Sequence, residues 1–162
     1  MSIFAQLGIT DRKGRTGEEA LYNLAACYGM ASRRIDQTLK PFGLSAVTMN
    51  ALLIIKHIGG AKGLQQSEIA RRMIVSDGNI TRLLDRLEKQ GWVERRANVG
   101  DRRAKCVFVT PSASKLLKEA WPVYLRCVDS IVSLLSPPRV KAAILVLDDL
   151  RKKLSVNPGE AS

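Results

Sequence analysis

A mainly α-helical fold with a small β-hairpin is what this chain predicts, on three observations. Apolar residues recur at helical spacing over most of the 162 residues. Near the middle, two short helical stretches are separated by only a brief turn. Directly after them come two strand-like runs joined by a polar turn that carries arginines.

The first long helix is expected from Thr16, where Thr16-Gly17-Glu18-Glu19 has the form of a capping box. Leu21, Leu24, Tyr28, Ala31, Ile35 and Leu39 follow at close to helical spacing until Pro41. Ser45 can cap a second helix carrying Met49, Leu52, Leu53 and Ile55, which should stop at Gly59. The run Gly59-Gly60-Ala61-Lys62-Gly63 lacks the Lys-Ser/Thr ending of a phosphate-binding loop and reads as a connector. Ser67 to Met73 is a short helix with Ile69, Ala70 and Met73 as its buried face.

The next helix can be read residue by residue. Ser76 is a suitable N-cap, and Asp77 places a negative charge where unpaired backbone N–H groups favour one. Ile80, Leu83, Leu84 and Leu87 form one apolar stripe, and Thr81, Arg82, Arg86 and Lys89 lie opposite. Gly91 is placed to end the helix in the left-handed conformation that glycine adopts at low cost. Trp92 to Arg95 and Cys106 to Thr110 read as strands, with Asn98 to Arg103 as the turn between them.

After the strands, Ser112 or Ser114 can open a long helix containing Leu116, Leu117, Trp121, Leu125, Val128, Ile131, Val132 and Leu135, with a kink expected at Pro122. Ser136-Pro137 reads as an N-cap with proline at the first helical position. The last helix then carries Val140, Ala143, Ile144, Leu147, Leu150 and Leu154, and the tail from Ser155 reads as disordered.

A helix with one packed face and one cationic, hydrogen-bonding face suits a DNA major groove, because arginine bonds guanine edges and Lys or Thr takes phosphates. A hairpin projecting arginines beside it suits the narrow minor groove. Charge agrees: 26 basic against 15 acidic residues give a formal net charge of +11, and residues 66–105 hold 10 of the 26 basic side chains. Such a balance favours polyanionic partners. No apolar run approaches the ~20 residues that span a bilayer, and no signal-peptide stretch opens the chain, so a cytoplasmic location away from membranes is expected. One histidine, no nucleophile motif, no paired metal ligands and no cofactor fingerprint leave no constellation for an enzyme, and neither a cofactor nor a metal is expected.

The runs Ser67-Glu68-Ile69-Ala70, Asn79-Ile80-Thr81-Arg82-Leu83-Leu84-Asp85-Arg86-Leu87-Glu88, Gly91-Trp92-Val93-Glu94-Arg95-Arg96, Asp101-Arg102-Arg103-Ala104-Lys105 and Thr110-Pro111 resemble the MarR family of bacterial transcription regulators. The resemblance is strong over about a third of the chain and elsewhere follows helix order. It implies a winged helix-turn-helix lobe over residues 45–111 within a single domain. Helices over 17–40 and 112–154 would interlock two copies into a homodimer. It further implies a repressor on a pseudo-palindromic double-stranded operator, released by a small-molecule effector. By the same resemblance Ser76, Asp77, Gly78, Asn79, Thr81, Arg82 and Arg86 fall at recognition-helix positions, with Arg102 and Arg103 at the wing tip. One departure is Ile74, where the family often has Gly; a β-branched residue at positive φ would be strained, so a different turn geometry is expected.

Control is less plainly written. By resemblance, an effector pocket would draw on Tyr22, Tyr28, His57, Trp121 and Tyr124, with Arg33 and Arg34 for an anionic group; aromatic acids, phenolics and coenzyme A thioesters are the ligand classes implied. Cys27, Cys106 and Cys127 lack metal-type Cys-x-x-Cys spacing and read as small core residues. Cys27 is the candidate for the alternative of a thiol-based redox sensor, although it lies deeper in its helix than the cysteines of thiol-sensing members. A sequence-independent architectural DNA protein is the other alternative, since net charge alone confers affinity for duplexes.

Overall fold

The computed structural model describes residues 2–11, 13–73, 80–97 and 105–155. Ile74, Ser76, Asp77, Gly78, Asn79, Arg102, Arg103 and the tail beyond Ser155 lie outside the described residues. The chain forms two compact units, residues 1–124 and 125–162.

In the first unit a short helix, α1 (Ile3–Gln6), precedes the long α2 (Thr16–Leu39). The capping box expected at Thr16 is not made. Arg15 occupies the N-cap without a side-chain cap bond, which places Thr16 inside the first turn, and the Arg15 guanidinium pairs with half-buried Glu18 at 2.6 Å. Helix α3 (Ala46–Ile54) does carry a capping box, between Ser45 and Thr48, and Asp36 of α2 accepts from the Ala46 N–H at 2.7 Å. The helix passes into a single π turn, Ile55–Gly59, which stops at the expected glycine.

The pair α4 (Gln66–Arg72) and α5 (Ile80–Lys89) follows, with β1 (Leu64–Gln65) before it and β2 (Val93–Ala97) and β3 (Lys105–Val109) after. The three strands are antiparallel in the order β1-β3-β2, with Leu64 opposite Val107 and Val93 opposite Val109. Strand β1 has only two residues, too short to show alternation in sequence. Helix α6 (Pro111–Val132) starts earlier than expected. Thr110, not Ser112 or Ser114, serves as its cap, its hydroxyl accepting from the Ala113 N–H at 3.3 Å. The helix continues through Pro122.

The core of this unit joins Leu39, Leu52, Ile55, Ile69, Leu84, Leu87, Val107 and Leu117, all at most 2% exposed. Ile69 packs as expected and Met73 is half-buried, but Ala70 is exposed because it sits about 100° around the helix from Ile69.

The second unit consists of the end of α6 and helix α7 (Pro137–Ser155), which opens at the expected proline. None of the residues of α7 is buried. Leu145 is 72% exposed and Leu154 77%, far beyond the scattered apolar side chains of an ordinary surface. Among the described residues no single helix is long and apolar enough to cross a membrane.

Candidate nucleic-acid interface

Helix α5 has the two faces that its spacing predicted. Leu83, Leu84 and Leu87 are at most 1% exposed, and Ile80 packs half-buried beside them. Burying three leucines is worth about 1.5–3 kcal/mol each, enough to fix which way the helix faces. Thr81, Arg82, Arg86 and Lys89 consequently point outward, with Arg82, Arg86 and Lys89 separated by four and three residues along one stripe.

Both ends of this element are tied down. At its C-terminal end Gly91 takes φ +70°, and its N–H donates to the Glu88 carbonyl while Trp92 N–H donates to Leu87. The Gly91 carbonyl accepts from the hydroxyls of Thr110 at 2.7 Å and Ser112 at 3.1 Å, which joins the end of α5 to the start of α6. On the other side, the Gln66 amide of α4 donates to the Thr81 hydroxyl at 2.8 Å.

The hairpin is locked to the helix by a group that the sequence reading did not single out. Arg95 shares the face of β2 occupied by buried Val93, so its side chain is directed toward α5. Its guanidinium reaches Asp85 at 2.6 Å and Glu88 at 2.5 Å, and its backbone N–H donates to Glu88 at 3.2 Å. Burial opposes the charge on Arg95, but hydrogen bonds to Asp85 and Glu88 outweigh it and hold the guanidinium above its ordinary range. The signal available in sequence was a charge at an inward-facing strand position. On the opposite face Arg96 lies 5.0 Å over the Phe108 ring, and Phe108 in turn covers Gly63.

The residues expected to bind an effector fall into separate places. Tyr28 and Tyr124 meet at a cavity of about 160 Å³ walled by α2, α3, Met73 and α6, together with Ser32, Ile35, Val47, Met49, Asn50 and Leu53. Trp121 stands behind Tyr124, ring centres 5.5 Å apart. Tyr22 instead meets buried Phe4 edge-on at 6.4 Å. His57 is exposed in the π turn and stands outside the cavity wall. Arg33 and Arg34 are exposed and stand outside the cavity wall. Cys106 and Cys127 are buried as expected, whereas Cys27 is exposed; it lies on the outward side of α2, so the core reading fails for it. Among the described residues no cluster could hold a metal ion.

Helices α4 and α5, the second with a cationic outer face, followed by the antiparallel pair β2 and β3, define a winged helix-turn-helix protein. A model of the MarR family matches residues 47–105. The transcriptional repressor MprA of Escherichia coli is 31% identical over 113 residues, which span 68% of this chain and 64% of MprA, just under two thirds of that relative. The HTH-type transcriptional regulator YfiV of Bacillus subtilis is 33% identical over 111 residues, 68% of each chain. The structure of the Staphylococcus aureus MepR–DNA complex superposes with a TM-score of 0.73 at 21% identity, covering 82% of this chain and 96% of that one. The chain belongs to the MarR family.

Proposed function

We propose that this protein is a sequence-specific DNA-binding repressor that acts as a homodimer on a pseudo-palindromic operator and is released by a small-molecule effector. The observation that carries the reading is α5, whose buried leucines leave Thr81, Arg82, Arg86 and Lys89 on a single outward face. Its relatives support the reading, MprA by its name as a repressor and MepR by its complex with DNA. The segments 17–40 and 112–154 supply the dimer contacts, and the absence of any buried residue in α7 supports that role. Ser76, Asp77, Gly78 and Asn79 complete the recognition surface, and Arg102 and Arg103 form the wing tip.

Fluorescence anisotropy with a selected duplex and a scrambled one tests the proposal. Preference for the selected duplex by roughly 10³-fold or more is expected, with affinity falling about 10³- to 10⁵-fold from 50 to 200 mM salt if six to ten phosphates are neutralised. Arg82→Ala should cost about 1–3 kcal/mol and relax the preference at one base pair if Arg82 reads a guanine. Equal affinity for all duplexes at matched salt would instead mark a sequence-independent architectural protein.

One observation favours a second reading. Cys27 is exposed within the single chain, so an oxidant reaches its thiol wherever the partner's helices leave it uncovered, as a redox-sensing regulator of the same fold requires.

A further inference from the structure

We propose that Gln66 and Thr81 together form an uncharged two-donor clamp for one DNA backbone phosphate, with Gln66 aiming the Thr81 hydroxyl; the inference rests on the DNA-binding reading above. Helical spacing pointed to Thr81 but not to Gln66, which stands 15 residues earlier and on another helix.

The direction of one hydrogen bond carries the argument. The Gln66 Nε2 donates to the Thr81 Oγ1 at 2.8 Å. A threonine hydroxyl has a single proton. Because its oxygen already accepts from the amide, that proton points away from Gln66, and among the described residues no other group takes it. The amide nitrogen carries a second N–H, which is likewise left over. Two donors thus stand side by side at the junction of α4 and α5, close enough to meet the oxygens of one anion.

Both partners are held from behind. Thr81 lies on the outward face that buried Leu83, Leu84 and Leu87 impose on α5. Gln66 opens α4 directly after β1, whose Gln65 is paired with Cys106 of β3, so the backbone that carries the amide continues from the sheet. Gln66 is half-buried and Thr81 exposed, which leaves the pair open to a macromolecule.

Placement and charge select the anion. In a helix-turn-helix the first helix crosses the DNA backbone while the second enters the groove. A pair that bridges the two helices therefore sits at the edge of the groove, where the phosphates are. Phosphate oxygens accept hydrogen bonds and fix register, which matches two donors. Glu68, the acidic residue in the first turn of α4, is paired with Arg71 and Arg72, so its charge is compensated. Neither member of the clamp is charged, so the contact positions the chain without the counterion release that a Lys or Arg contact brings.

Fluorescence anisotropy of the full-length protein on the selected duplex, with a methylphosphonate replacing each phosphate in turn, tests the clamp. One phosphate per half-site is expected at which the neutral analogue costs the wild type about ten-fold in affinity, as for hydrogen bonds to charged groups. Thr81→Val should already be weaker by about that factor on the natural duplex and lose nothing further at that phosphate. Gln66→Met should behave in the same way. Gln66→Glu, which can only accept, should lose at least as much, because it turns the hydroxyl proton inward. Thr81→Ser keeps the hydroxyl and should stay close to wild type. Neither Thr81→Val nor Gln66→Met should change the slope of log affinity against log salt, whereas loss of a Lys contact to phosphate lowers it by about one. Wild-type affinity in Thr81→Val or Gln66→Glu, a lowered salt slope in Thr81→Val, or a loss confined to one base pair would overturn the clamp and leave the regulator standing. Equal affinity of the wild type for all duplexes would instead remove the regulator, and a uniform loss in Thr81→Val and Gln66→Met would still bear out the clamp.

Discussion

Arg95→Met should separate the contribution of the clamp between β2 and α5 from that of simple packing, since methionine retains most of the aliphatic stem. The lost contacts are the guanidinium bonds to Asp85 at 2.6 Å and Glu88 at 2.5 Å. Arg95 is 19% exposed, but its partners are 57% and 40% exposed, so solvent screens both pairs. Exposed pairs contribute about 0.2–1 kcal/mol each, and two that share one half-buried cation should together contribute about 1–2 kcal/mol. On a unit of this size that is a fall in Tm of about 3–8 °C. A double-mutant cycle in urea with Asp85→Asn should show a coupling of about 0.5–1 kcal/mol that shrinks in 1 M salt, where the screening length is about 3 Å. DNA affinity should fall along with it, because the hairpin is then no longer tied to α5 by the guanidinium. Strictly additive effects of Arg95→Met and Asp85→Asn would refute the clamp, whatever happened to DNA binding.

Gly63→Ala should destabilise the protein by more than about 1 kcal/mol in thermal melts, because Gly63 sits at φ +69° and the added Cβ would fall 2.5 Å from the Phe108 ring. Arg15 holds the Glu18 carboxyl below its ordinary range. Its stabilising effect is therefore present above about pH 4.5 and lost as pH falls through the lowered value. Glu18→Gln should leave the acid limb of the melting curve slightly flatter, and an unchanged limb would count against the pair. Arg102→Ala with Arg103→Ala should weaken operator binding in anisotropy while leaving Tm and the dimer unchanged, if these two side chains enter the minor groove. Cys27→Ser should leave DNA binding and effector release intact; loss of peroxide-driven release in that variant alone would favour the redox reading.

The parts of the fold legible in sequence were those with a strong period and a dry face. Leu83, Leu84 and Leu87 had only one way to be buried, and that fixed the outward direction of Arg82 and Arg86. Gly91 and Ser45 were legible because each answers a local backbone need, a positive φ and an orphan N–H. Thr16 misled because the helix starts one residue earlier than the pattern implies: with Arg15 at the N-cap, Thr16 is already the first helical residue and cannot cap it. Cys27 misled because a helical period marks an apolar face without saying whether the chain itself covers it. Strand β1 had too few residues to alternate. The cavity was legible only through the family resemblance, which pointed to Tyr28 and Tyr124; Asn50 was missed, since the three residues come from three helices and no sequence spacing relates them.

The central claim is that two copies of α5 read DNA together. In vitro selection from a random duplex library, followed by footprinting of the selected site, tests it most directly. Two α5 helices related by a two-fold axis must enter successive major grooves on one side of the duplex, so inverted half-sites with centres about 10 bp, or ~34 Å, apart are expected. Enrichment of a single half-site protected by a monomer, or no enrichment over the starting library, would contradict it.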